Sequence, residues 1–217
     1  MKLISMKICP YVQQVRVLLE AKKVKYDVEH IESDRRPEWL LDASPAGGEV
    51  PALVTDDGEI LFQSDSIVQF IDETIGEPSL IGNVVEKARD RAWGYLASDN
   101  YLVQCSTQRS PDEGSLKERM EDLAPIFSHM ENQVEGRSFR SGHLTMVDVS
   151  WFPMLHRSAL IAERSGYDFL GAYPKLRAWR EGLLGTGWGE TSVPEDFKEV
   201  FTGFYLSEET YLGRLTA

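Results

Sequence analysis

Apolar and polar residues follow two periods along this chain of 217 residues, and the pattern changes near residue 80. In the first part, short stretches with the two-residue period of strands alternate with stretches of helical spacing. Lys2–Ser5 reads as a strand. After Pro10, apolar residues at Val12, Val15, Leu18 and Leu19 mark a helix. Residues 25–31 alternate as a strand does, and 37–41 form a short helix with Pro37 in its first turn. Ala52–Val54 and 59–62 flank Asp56-Asp57-Gly58, an Asp-Gly pair typical of hairpins. Ser64–Thr74 is a helix with Ile67, Phe70 and Ile71 on one face. The order β-α-β-α-β-β-α predicts a mixed sheet, because a right-handed crossover is followed by an antiparallel hairpin.

Gly76, Pro78 and Gly82 read as a linker over 76–84. Beyond it only helical spacing appears, over 85–108, 116–134, 146–164, 173–184 and 194–204, with 109–115 as a loop. The expected plan is an α/β domain over 1–78 and an all-helical domain over 85–217.

Composition sharpens this picture by exclusion. The chain is 42% apolar, 27% charged and carries a net charge of −12. That is enough apolar material for a core. Both halves are acidic and no basic run stands out, so neither nucleic acid nor an anionic membrane is expected as a partner. Two cysteines are too few for a disulfide framework. No apolar stretch is long enough to span a membrane, and the N-terminus lacks the features of a signal peptide. A reducing cytosol, with Cys9 as a free thiol, is the expectation.

Cys9 lies between a strand and a helix, followed by Pro10 and Tyr11. Unpaired N–H groups and the helix dipole at such a position favour thiolate over thiol. The alternative is a small buried apolar residue. Lys7 could add positive charge. Position 12 is Val, so no second cysteine can resolve a local disulfide, and an external thiol is needed. Val50-Pro51 precedes the third strand; a cis bond would turn the Val50 backbone toward the cysteine, while a trans bond would only start the strand. Gln63-Ser64 opens a helix, where Ser64 is either a plain cap or part of a carboxylate site. Arg35 and Arg36 could reach a carboxylate or remain solvated. Thr145-x-x-Asp148 is a capping-box variant assigned to folding, and Cys105, in an apolar helical run, is assigned to the core. The four histidines lack metal-ligand spacing, and no metal is expected.

Together these residues resemble the cytosolic glutathione transferases, and the omega class and its bacterial relatives in particular. The resemblance rests on Cys9-Pro10-Tyr11 with Val15-Arg16-Val17, on Arg36-Pro37-Glu38-Trp39, on Ser44-Pro45-x-Gly, on Val50-Pro51-Ala52-Leu53, on Gln63-Ser64-x-x-Ile67 and on Thr145-x-x-Asp148. It implies a thioredoxin-like N-terminal domain and an all-α C-terminal domain. It further implies that Cys9 is the catalytic thiol and Tyr11 lines the site beside it. Val50, before a cis Pro51, would bind the cysteinyl backbone of glutathione. Gln63 and Ser64 would hold its γ-glutamyl end, and Arg36 its glycyl carboxylate. Two departures stand out: Gln63 replaces the usual Glu, and the loop before Val50 is one residue longer.

The activity so implied is glutathione-dependent thiol transfer or reduction through a mixed disulfide, on a small electrophilic or disulfide substrate, by a homodimer. Dehydroascorbate reduction and deglutathionylation belong to this type of reaction. The alternatives are a conjugating or dehalogenating transferase and a non-catalytic interaction protein like the bacterial stringent-starvation protein. The second substrate is expected between the domains, near Tyr11, with Trp93, Leu96 and Asn100 at helical spacing nearby, Leu96 being assigned to the core. The late aromatics Trp188, Phe201, Phe204, Tyr205 and Tyr211 either cover the site or pack.

Overall fold

A computed structural model of the chain describes residues 1–44, 47–75, 80, 83–140 and 142–215. Four short strands, β1 (Lys2–Ser5), β2 (Asp27–His30), β3 (Ala52–Val54) and β4 (Ile60–Phe62), form one sheet in the order β2-β1-β3-β4. β1 and β2 are parallel, with Lys2 opposite Asp27 and Ser5 opposite His30. β3 runs antiparallel to both β1 and β4. The sheet is therefore mixed, as the element order predicts. β2 is shorter than the alternation over 25–31 because its only partner, β1, offers four residues for pairing. At the β3–β4 turn Thr55 N–H donates to Glu59 C=O at 2.9 Å. Gly58 sits there at φ +87°, a conformation costly for any residue with a Cβ.

Period-two alternation sends Leu3 and Ile4 to opposite faces. Leu3 packs with Val15, Leu18, Ile67 and Ile71 of helices α1 (Pro10–Ala21) and α3 (Ser64–Thr74). Ile4 packs with Leu40 of α2 (Glu38–Ala43) and with Ala52. Pro37 is the N-cap of α2, one position ahead of the first turn expected for it. Ser64 is the first residue of α3 and Gln63 is its N-cap, so the expected Ser64 cap is corrected by one position.

The remaining described elements are helices: α4 (Val84–Ser98), α5 (Tyr101–Gln108), α6 (Glu113–Glu131), α7 (Met146–Ser165), α8 (Pro174–Leu184), α9 (Trp188–Thr191), α10 (Phe197–Tyr205) and α11 (Tyr211–Arg214). The periodicity over 85–108 predicts one helix, but the chain breaks it at Asp99-Asn100. There the Asn100 side chain donates to Leu96 C=O at 2.7 Å, competing with the helix's own ladder. Helix α6 starts inside the expected loop because Asp112 caps it, accepting from Ser115 N–H at 2.8 Å. The two four-residue helices α9 and α11 are too short to leave a periodic signal. The linker residues Gly76, Pro78 and Gly82 lie outside the described residues.

Helix α7 is the axis of the helical part. It is buried on nearly every side from Met146 to Ile161. Each large apolar side chain so buried contributes about 2–3 kcal/mol, and Trp151 and Trp179 pack with tilted rings, their centres 5.8 Å apart, in this core. Helix α4 lies close against α7: a Cβ at Gly94 would meet Ser150 Oγ at 2.9 Å. Helix α7 also packs on α1, which sets the helical part directly behind Cys9. The architecture is thus a thioredoxin-like domain plus an all-α domain. Among the described residues no helix is long and apolar enough to cross a membrane.

Candidate functional site

Cys9 is the N-cap of α1, in extended backbone conformation, with Pro10 in the first turn. Its carbonyl accepts from Gln13 N–H at 3.2 Å, and its Sγ–H donates to Val50 C=O at 3.8 Å. The Val50–Pro51 bond is cis, and the Val50 carbonyl does turn toward the cysteine. The N–H groups of Val12 and Tyr11 and the Arg157 guanidinium all favour the thiolate, but burial outweighs them and pushes the Cys9 thiol above its ordinary value. The sequence-based expectation of a lowered value is therefore corrected for the unliganded chain. The helix N-terminus acts as expected, yet the desolvation that came with tertiary packing is larger.

Two cavities meet at this sulfur. One, of about 450 Å³, is lined by Cys9, Tyr11, Arg36, Val50, Pro51, Gln63 and Ser64. The seven residues that the family resemblance assigns to the glutathione site thus face one space. Gln63 stands at φ +68°, rare for a residue with a side chain and costly to hold, which places its side chain and the start of α3 at the cavity. Arg36 donates to Gly47 C=O, and its Nε has no partner among the described residues. Arg35 is exposed and lies 3.8 Å from Glu32, so only one of the Arg pair serves this space. Asp65 and Asp99 also line it, and sequence reasoning passed over both. Asp65 accepts from Gln14 Nε2 at 3.0 Å and Ser98 Oγ at 2.8 Å. Its position next to Gln63-Ser64 was visible; its approach to Ser98, from another helix, was not.

The second cavity, of about 1110 Å³, opens on the other side of Cys9. Tyr11, Leu102, Val200, Phe204 and Tyr205 form apolar walls, and Lys7, Arg109 and Arg119 bring positive charge. Cys105 lines this cavity, half-buried, and its sulfur accepts from Tyr205 Oη–H at 3.1 Å. Its assignment to the core is corrected: α5, separated from α4 at Asp99-Asn100, turns this face to the cleft. Trp93, Leu96 and Asn100 line neither cavity. Of the late aromatics, Phe204 and Tyr205 cover the site, while Trp188 and Phe201 are core. Tyr11 packs edge-on against Tyr101, their ring centres 5.0 Å apart, and burial pushes its hydroxyl up to about 12. The charge of Lys7 is matched by Asp196.

Thr145 and Asp148 form a reciprocal capping box. Asp148 also accepts from Phe139 N–H at 2.7 Å and Trp179 Nε1 at 2.6 Å, a folding role remote from the cavities. Among the described residues no group of three His, Cys, Asp or Glu side chains is placed to hold a metal ion.

The "Glutathione S-transferase, N-terminal domain" family matches residues 8–74, and "Glutathione S-transferase, C-terminal domain" matches 113–182. A probable glutathione transferase omega-2 of Caenorhabditis elegans is 30% identical over 210 residues, 89% of this chain and 78% of that protein. The crystal structure of glutathione transferase Omega 3C from Trametes versicolor superposes with a TM-score of 0.78 at 20% identity, covering 94% of this chain and 89% of that one. A rice GST1 solved in complex with glutathione superposes with a TM-score of 0.79 at 19% identity, covering 94% and 93%. At these identities the two structures establish the shared fold.

Proposed function

The chain belongs to the glutathione S-transferase family, and on that premise we propose that it works as an omega-like thiol transferase in which Cys9 carries glutathione as a mixed disulfide. The observation that carries this reading is the position of Cys9 where the two cavities meet. In the smaller cavity, the Val50 backbone before cis Pro51 pairs with the cysteinyl part of glutathione. Gln63 and Ser64 take its γ-glutamyl end, and Arg36 its glycyl carboxylate. Asp65 and Asp99 supply the negative charge that Gln63 lacks toward the γ-glutamyl ammonium.

Cys9 thiolate attacks the glutathione sulfur of a substrate R–S–S–glutathione and expels the R–S⁻ thiolate, leaving Cys9–S–S–glutathione. A second glutathione thiolate attacks the glutathione sulfur of that intermediate, releasing glutathione disulfide and restoring Cys9 thiolate. The net exchange consumes one glutathione thiol: R–S–S–glutathione and glutathione become R–SH and glutathione disulfide. Deglutathionylation uses the same two attacks, whereas dehydroascorbate, which carries no glutathione sulfur, takes its two electrons and two protons from two glutathione thiols and shares only the resolution of Cys9–S–S–glutathione. The larger cavity takes the second substrate, and its apolar walls with Arg109 and Arg119, which form no ion pair among the described residues, favour an apolar body bearing negative charge.

In this reading residues 1–78 form the glutathione-binding domain and 85–217 the helical one. The protein is a homodimer of the reducing cytosol, with a solution mass about twice the chain's 24.6 kDa by light scattering. The deciding experiment is glutathione-dependent reduction of a small mixed disulfide by wild type and Cys9→Ala. Wild type turns over and the variant loses at least about a thousandfold; equal rates in the two would remove Cys9 from the chemistry.

A further inference from the structure

Arg157 is fully buried and carries a charge that the described carboxylates do not match. It projects from α7 toward the start of α1. Its Nη2 donates to Ile8 C=O at 3.1 Å, its Nη1 to Gln13 Oε1 and to Pro153 C=O at 3.3 Å, and its Nε has no partner among the described residues. All three acceptors are neutral, and Arg157 forms no ion pair among the described residues. On one side its guanidinium lies 5.7 Å from the centre of the Phe197 ring. A cation held in such surroundings is costly unless an anion stands near it. Arg157 does not line either cavity, so a bound substrate does not reach it as that anion.

The group that can become the anion is next to Ile8. We propose that Arg157 is a positioning residue whose buried charge balances the Cys9 thiolate, while its bond to Ile8 C=O fixes the loop that carries the sulfur. This rests on the reading of Cys9 as the working thiol. The other groups facing Cys9 do not serve. Tyr11 from α1, Tyr101 from α5 and Tyr205 from α10 are phenols that burial keeps protonated. Cys105 from α5 brings at most another negative charge. At the cavity rims Lys7 is matched by Asp196, burial favours the uncharged form of His30, Asp65 and Asp99 are acidic, Arg36 and Arg119 are engaged by the carbonyls of Gly47 and Ser106, and Arg109 lies over the Phe204 ring. Arg157 is thus the cation that opposes the effect of burial on Cys9. The consequence is functional: this charge limits how far burial raises the thiol, and without it the thiolate fraction at any given pH falls further.

The test uses the full chain in a Cys105→Ser background, so that Cys9 is the single thiol. The rate of alkylation by iodoacetamide is followed from pH 6 to 10, with peptide mass spectrometry confirming the site. Arg157→Met removes the charge and keeps most of the volume; the midpoint is expected to rise by about one pH unit, and alkylation at pH 7 to fall about tenfold. Arg157→Lys, which keeps a charge, restores most of the difference. If Arg157→Met does not fold, Gln13→Glu replaces it: a carboxylate on the same guanidinium neutralises the charge at the cost of the Gln13 Nε2 bonds to His156 Nδ1 and Ser192 Oγ, with the same upward shift expected. A midpoint unchanged from wild type in a folded Arg157→Met or Gln13→Glu protein overturns the proposal. Because alkylation needs no glutathione, it separates this outcome from a failure of the thiol-transferase reading.

Discussion

At the scale of single residues, Cys9 is subject to opposed effects of similar kind. Helix α1 offers its N–H groups, and the fold withdraws water. Burial is the larger, so in the unliganded chain the thiol stays protonated above its ordinary value. The sign of the pH dependence follows. The thiolate is the reactive form and its fraction rises about tenfold per pH unit below the pKa. Alkylation of Cys9 is therefore expected to climb through pH 7 to 8.5 without levelling, and a plateau beginning below pH 7 would contradict the burial argument. A second expectation concerns Cys9→Ser. A hydroxyl cannot form the mixed disulfide but can donate to a bound glutathione thiolate, so conjugation of a chloronitrobenzene should rise by severalfold as disulfide reduction disappears. No gain at all would count against the mixed disulfide as the reason conjugation is weak.

At the scale of elements, the site depends on helices that approach from distant parts of the chain. Gln14 of α1 donates to Asp65 of α3 and to Ser150 of α7, both at 3.0 Å. These bonds tie the start of α1 to the helical part. Helix α7 is held in turn by Asp148, which receives the Thr145 backbone and hydroxyl, Phe139 N–H and Trp179 Nε1. Asp148→Ala would leave buried donors unpaired, each costing about 1–3 kcal/mol. The expected result is a loss on the order of 3 kcal/mol in urea denaturation, with glutathione affinity of the folded fraction unchanged. A loss below about 0.5 kcal/mol, the range of ordinary surface changes, would mean the network is dispensable. The same dependence explains why part of the element plan was hard to read. The 85–108 periodicity continues through Asp99-Asn100, and the break arises from a side-chain bond to Leu96 C=O that hydrophobic spacing does not encode.

At the scale of the whole molecule, a chain of net charge −12 presents a cavity bordered by Lys7, Arg109 and Arg119. Lys7 is matched by Asp196, but Arg109 lies 4.2 Å over the Phe204 ring and forms no ion pair among the described residues. A low-dielectric wall beside an unmatched cation concentrates its field on whatever enters. Mixed disulfides of glutathione with 5-thio-2-nitrobenzoate and with neutral 4-nitrothiophenol differ chiefly in one carboxylate. The protein should prefer the first, and Arg109→Gln should lower kcat/KM for it by about fivefold to tenfold. Equal losses on both compounds would assign Arg109 to packing instead.

The sequence by itself determined the alternation of strands and helices, the mixed sheet, the change to helices alone and seven of the residues that line the smaller cavity. Each rests on local signals: period, turn chemistry, and short segments that carry a family resemblance. Tertiary structure decided what depends on distance along the chain. It set the thiol's acidity, because desolvation is a property of everything packed around Cys9. It turned Cys105 from a core position into a cavity wall, because α5 breaks from α4 and faces Tyr205, 100 residues away. It placed Arg157 behind the sulfur 148 positions earlier in the chain, where its charge has meaning only through the contact with Ile8. Local spacing carries the propensity of an element, whereas a charge or a thiol acquires its chemistry from neighbours that only the folded chain brings together.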